Sequence, residues 1–98
     1  MPKLICKEVS FYSEGDETAF FTWLQNIDAI KDIKGVGNEI QLEIENETIE
    51  DESLRELIAV FTRYEIDLNQ LKQFLNKDNK EWFYDNDLAF WRKETFSE

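Results

Sequence analysis

The stretch DESLRELIAVFTRYEIDLNQLKQFL, Asp51 to Leu75, is the longest run of helix-period hydrophobicity in the chain, and it dictates what the other elements can pack on. Leu54, Leu57, Ile58, Phe61 and Tyr64 recur at three- and four-residue steps, the spacing that puts side chains on one helical stripe. Leu68, Leu71, Phe74 and Leu75 repeat the pattern after Ile66-Asp67. Asp67 has the side chain of an N-cap, so the stretch reads as two consecutive helices or one with a sharp bend. Ser53 with Glu56 three residues on has the spacing of a capping box at the front.

The flanking segments supply what such a helix would cover. Lys3 to Tyr12 is rich in β-branched, aromatic and aliphatic residues, ends at SEGD and predicts a first strand. Ser13 with Asp16 opens a helix near Asp16, with Ala19, Phe20, Trp23, Leu24 and Ile27 on one face. Ala29 to Lys34 predicts a short strand, followed by a tight turn at Gly35-Val36-Gly37-Asn38. From Glu39 the alternation is strict: Ile40, Leu42 and Ile44 face one way, and Glu39, Gln41, Glu43 and Glu45 the other. That is a strand with one face on a core and one in water, paired to its predecessor as a hairpin. Beyond Leu75 come turn residues at Asn76 to Asn79, then the aromatic runs Trp82-Phe83-Tyr84 and Phe90-Trp91 around Asp85-Asn86-Asp87. These predict a C-terminal aromatic hairpin, with a short helix through Trp82 as the competing reading. The whole chain, residues 1–98, reads as a single small α+β domain: a mainly antiparallel sheet packed against two or three helices. Its 98 residues suffice for one core burying roughly 60–70% of the unfolded surface.

Composition excludes more functions than it suggests. There is no histidine, which removes the commonest general base, the Ser-His and Cys-His nucleophile pairs and most zinc sites. Cys6 is the only cysteine, so no intrachain disulfide forms, and in a strand it reads as a core thiol. Gly35 and Gly37 lack the context of a phosphate-cradling loop. A calcium loop counted from Asp85 would need glycine and glutamate where Phe90 and Phe96 stand. The expectation is therefore a non-enzyme without cofactor or metal, although a pair of the 22 acids meeting in space could still do carboxylate chemistry. The N-terminus MPKLICKEV lacks the apolar core of a signal peptide and no run approaches the roughly 20 apolar residues of a membrane span, so a cytoplasmic protein is expected.

The formal net charge is −11, from 22 acidic and 11 basic side chains. Such a surface repels nucleic acid and anionic membranes, and attracts basic proteins. Between Glu39 and Glu56 the acids Glu39, Glu43, Glu45, Glu47, Glu50, Asp51, Glu52 and Glu56 face one base, Arg55, so this stretch alone carries −7. Two protein-binding patches are expected. One is anionic: Glu43, Glu45, Glu47, Glu50, Asp51 and Glu52. The other mixes rings and carboxylates in the tail: Glu81, Trp82, Tyr84, Asp85, Asp87 and Trp91, residue types that suit interface anchors. Each has a purely structural alternative. Acids in a first helical turn complement the helix dipole, and Trp82 with Trp91 could close the core as an aromatic pair.

Phe74-Leu75-Asn76, Asn79-Lys80, Trp82-Phe83, Asp85-Asn86, Ala89 and Trp91, with LRELIAVFTRYEIDLNQL upstream, make the last half of the chain resemble a group of small, uncharacterised, acidic bacterial proteins. In general character the chain is similar to the immunity proteins of bacterial toxin systems. That resemblance implies a cytoplasmic inhibitor occluding the active-site cleft of a cognate toxin, and a nuclease, with its cationic cleft, would suit an acidic face. It carries no set of site residues with it. The alternatives are an adaptor subunit, or a homodimer formed through the tail, and then a small carboxylate-dependent enzyme.

Overall fold

The structure, a computed structural model, describes residues 2–97. In chain order its elements are β1 (Lys3–Lys7), α1 (Glu14–Gln25), β2 (Ile30–Val36), β3 (Glu39–Ile44), α2 (Asp51–Arg63), a 3-10 segment (Leu68–Phe74), α3 (Lys80–Phe83) and α4 (Arg92–Thr95). The strands form one antiparallel sheet in the order β1-β3-β2. The α+β class and the helix-covered antiparallel sheet are as the sequence predicts.

The alternation in β3 is the sheet's organising feature. Leu42 and Ile44 are fully buried, and Leu4 and Cys6 of β1 join them on the same face. Phe20 and Leu24 of α1 and Leu54, Leu57, Ile58, Val60 and Phe61 of α2 complete the core with Leu71, Phe74 and Phe83. β2 and β3 meet at a two-residue turn, Gly37-Asn38, where Gly37 takes φ +60, a conformation without strain only for glycine. Gly35 lies inside β2, so the strand runs two residues further than predicted.

β1 is five residues long, not ten, because Glu8 adopts φ +50 and turns the chain out of the sheet. Phe11 beyond it packs edge-on against Tyr64 and near Phe20. α1 starts as predicted: Ser13 is the N-cap and its Oγ accepts from the Asp16 N–H at 3.1 Å. Ala19, however, is exposed, and Phe21 is the half-buried residue beside Phe11.

The central stretch corrects two expectations. α2 begins at Asp51 after an N-cap residue, Glu50, that makes no side-chain cap bond. Ser53 lies inside the helix and its Oγ accepts from the Ala29 N–H at 3.3 Å, so no capping box with Glu56 forms. The helix ends in a Schellman arrangement. The Ile66 N–H donates to the Phe61 carbonyl at 2.8 Å, the Glu65 N–H to that of Thr62 at 3.4 Å, and Glu65 sits at φ +57 where glycine is usual. Asp67 then caps the next element as predicted, its Oδ1 accepting from the Asn69 N–H at 3.0 Å. That element is a 3-10 turn rather than an α-helix. Its buried residues Leu68, Leu71 and Phe74 keep a period of three, which suits three residues per turn.

The C-terminal hairpin is absent; two single-turn helices, α3 and α4, take its place. Asn76 and Asn79 cause this. Asn76 Oδ1 accepts from the N–H groups of Asp78 and Asn79, while Asn79 Oδ1 accepts from the Asn76 N–H at 2.9 Å. Asn79 is buried and its Nδ2 donates to the Phe74 carbonyl at 2.8 Å, so the turn is sealed before α3 begins. The rings of Trp82, Phe83, Trp91 and Phe96 then pack on the core and one another instead of pairing across strands.

Candidate functional site

The anionic patch separates into two surfaces. Cross-strand register sets the open sheet face in three rows: Lys3–Glu43–Asp32, Ile5–Gln41–Lys34 and Lys7–Glu39–Val36. Lysines stand directly opposite Glu43 and Glu39, close enough for favourable cross-strand pairing. This face therefore carries as many bases as acids and is not the negative surface that β3 read alone suggests. The pattern of one strand cannot reveal the charges of its neighbours.

The remaining acids gather at one end of the sheet. Glu45 is the first residue beyond β3, and its N–H donates to the Ala29 carbonyl at 3.0 Å. Together with the bond from Ala29 to Ser53, this stitches the α1–β2 connection to the β3–α2 connection and brings Asp28 beside Glu45 and Glu50. Two shallow depressions mark the spot. One, of about 230 Å³, is lined by Asp28, Ala29, Glu45, Asn46, Thr48, Ile49, Glu50 and Ser53. The other, of about 550 Å³, is lined by Pro2, Glu45, Asn46, Glu47 and Thr48. Among the described residues no basic side chain lines either. Asp51 and Glu52 continue the exposed acids into the first turn of α2, where the helix dipole favours them. Asp28 was missed from sequence because only the Ala29 hydrogen bonds place it there.

The tail patch is largely structural. Trp82 and Trp91 are half-buried and meet edge-to-face at 6.0 Å, and Trp91 Nε1 donates to the Phe83 carbonyl at 3.1 Å. The Arg55 guanidinium of α2 lies 3.9 Å from the Trp82 ring centre, while Trp82 Nε1 is buried without a hydrogen-bond partner. Tyr84 is half-buried under Arg92, whose guanidinium lies 4.3 Å from its ring centre. The acids here are compensated: Asp85 pairs with Lys80 at 3.0 Å and Asp87 with Arg92 at 3.8 Å, leaving Glu81 exposed on α3. What the tail does present is apolar. Leu88 is 96% and Phe90 66% exposed, between the two short helices.

A third cluster has no counterpart in the sequence reading. A groove of about 350 Å³ is lined by Glu8, Ser10, Tyr12, Asp16, Arg63, Tyr64 and Glu65. Glu8 and Glu65, the two non-glycine residues with positive φ among those described, lie on it. The Tyr64 hydroxyl donates to Asp16 Oδ1 at 2.9 Å, and Asp16 Oδ2 accepts from the Tyr12 N–H at 3.0 Å. Burial, and then the bond to Asp16, push the Tyr64 phenol above its ordinary range.

Among the described residues no group of three or more histidine, cysteine or acidic side chains is arranged to hold a metal ion. Cys6 lies in the core, where burial pushes its thiol up to about 12. No helix among these residues is long and apolar enough to cross a membrane. Comparison with protein-family models, with curated proteins and with solved structures returned no match.

Proposed function

We propose that the chain is a non-catalytic protein-binding domain that takes a basic protein against the acidic end of its sheet, acting as an immunity protein that occludes the cleft of a cognate toxin. The observation that carries this reading is the concentration of Asp28, Glu45, Glu47, Glu50, Asp51 and Glu52 around two depressions with no base lining them. On the open sheet face Lys3 and Lys7 stand opposite Glu43 and Glu39, and in the tail Lys80 and Arg92 pair with Asp85 and Asp87. An uncompensated charge cluster on a protein of net charge −11 steers cationic surfaces to one place. A cleft that binds phosphates, as in a nuclease, has the complementary chemistry, and its occlusion would need no reacting group on this chain.

The test uses the chain as bait in lysate of its native host, beside a Glu45→Lys/Glu47→Lys/Glu50→Lys variant. The proposal expects a basic protein that the parent retains and the variant loses, and relief of that protein's toxicity on co-expression with the parent alone. Equal retention by both baits, or a captured protein without toxicity, contradicts it. A second reading, an adaptor, is favoured by exposed Leu88 and Phe90. In that case Leu88→Ser/Phe90→Ser, and not the charge reversal, abolishes capture.

A further inference from the structure

The sheet has two edges, and they are treated differently. On the β1 edge the side chain of Gln70 imitates a strand: its Oε1 accepts from the Ile5 N–H at 2.7 Å and its Nε2 donates to the Ile5 carbonyl at 2.9 Å. The 3-10 segment thus closes that edge. Among the described residues the β2 edge has no such cover. A shallow depression of about 320 Å³ lies against it, lined by Gln25, Ile30, Lys31, Asp32 and Ile33. Among the described residues the Ile33 N–H is held only by the carboxylate of the preceding residue, Asp32, at 3.0 Å. An uncovered seven-residue edge strand is a ready template for another strand.

We infer that β2 is the interface of a symmetric homodimer, pairing antiparallel with β2 of a second copy so that the two sheets become one of six strands. The hydrogen-bond phase restricts the two-fold axis to a residue position, and the charges and the length of the strand choose Ile33 among these. Ile5 gives its backbone groups to Gln70, so its neighbours Leu4 and Cys6 turn theirs to Leu42 and Ile40 of β3. Backbone groups alternate in direction along a strand, so Gln41 turns toward Lys34 of β2, and Ile33 and Gly35 turn away from β3. A two-fold axis at Ile33 sets Ile33 against Ile33, Lys31 against Gly35, and Asp32 against Lys34 twice. Moving the axis one residue sets Asp32 against Asp32, or Lys34 against Lys34, on the axis itself; like charges directly opposite are unfavourable.

Ile33 is also the midpoint of the strand Ile30–Val36, so the chosen register uses its whole length apart from the irregularity between Ile30 and Asp32. The place where a Cβ would stand on Gly35 is open, with nothing within 4 Å, which leaves room for the second copy's Lys31. The pairing replaces the Asp32 bond to the Ile33 N–H by a backbone bond and frees that carboxylate for Lys34. Two strands bury little area, and interfaces under about 1,200 Å² are weak or transient. Each copy carries −11, so the dimer forms best where salt shortens the Debye length to about 8 Å.

Sedimentation velocity at about 0.15 M salt, with protein up to about 1 mM, tests this. The parent chain is expected to shift from monomer to dimer with concentration. Asp32→Lys alone and Lys34→Asp alone are each expected to stay monomeric, since each sets like charges against one another. Mixed in equal amounts they should form a heterodimer, because the two lysines of the first variant then face the two aspartates of the second. Both positions are exposed, and far-UV circular dichroism checks that each variant retains the fold. Should a variant not fold, amide exchange of the parent decides, the Ile33 and Gly35 amides slowing as concentration rises. A parent that remains monomeric at about 1 mM, a dimer indifferent to either substitution, or a mixture that fails to associate overturns the inference.

Discussion

Three side chains do backbone-like work that no periodicity advertises. Gln70 closes the β1 edge with two bonds to Ile5, so Gln70→Ala is expected to lower unfolding stability by about 1–3 kcal/mol in urea denaturation, the cost of stranding part-buried backbone groups. Asn79, buried and bonded at both ends of its amide, is the second; Ser53, drawn from a cap position to Ala29, is the third. Sequence can nominate Ser53 for a cap because the spacing to Glu56 fits, but only the fold decides which backbone N–H reaches the hydroxyl first. Cys6 was legible as a core thiol because it stands in an apolar, alternating strand. It is expected to remain unreactive toward a disulfide reagent at pH 8 until denaturant is added. Its folded pKa near 12 exceeds the ordinary value of 9.0, so its contribution to stability is intact below about pH 9 and is lost as pH rises from there through 12. Alkaline titration of the unfolding free energy should therefore be shallower for Cys6→Ala than for the parent.

Elements were legible where one physical signal dominated and were misjudged where two competed. The apolar stripe of α2 and the alternation of β3 survive in the structure because each buries a continuous apolar face. The end of α2 is set by Glu65 in a left-handed conformation that an L-residue adopts at a cost of roughly 1–2 kcal/mol. Glu65→Gly removes that strain and costs less than it in added chain entropy, so a gain of about 0.5–1 kcal/mol is expected by thermal or urea unfolding. In the tail, two aromatic runs either side of the Asp85-Asn86-Asp87 turn suggested a hairpin, whereas the Asn76–Asn79 reciprocal bonds enforce a turn leading straight into the short helix through Trp82, the competing reading. Trp82 separates packing from binding. Packed on Phe83, Trp91 and Arg55, Trp82→Ala should cost stability near the lower end of the roughly 3–5 kcal/mol typical of large core rings. Trp82→Phe should cost much less, because the indole N–H makes no bond to lose.

For the molecule as a whole the question is where its charge of −11 resides. Composition shows the excess, and the run from Glu39 to Glu56 shows its place in the chain. Neither reveals that β1 sets lysines against Glu39 and Glu43, or that the Ala29 hydrogen bonds carry Asp28 to Glu45. The acidic patch drawn from that run is therefore smaller than the sequence suggests and lies at one end of the sheet, around the connection from β3 to α2. The exposed pair Leu88 and Phe90 belongs to a different region of the chain, and its removal is expected to leave charge-driven encounter unchanged. The decisive experiment is stopped-flow association of the chain with the basic protein it captures, followed as salt is raised from about 0.05 to 0.5 M, across which the Debye length falls several-fold. If the acidic end is the docking surface, the association rate falls steeply with salt, and at low salt Glu45→Lys/Glu47→Lys/Glu50→Lys slows it by about tenfold or more while changing dissociation little. An association rate flat in salt and equal for the two proteins would contradict it.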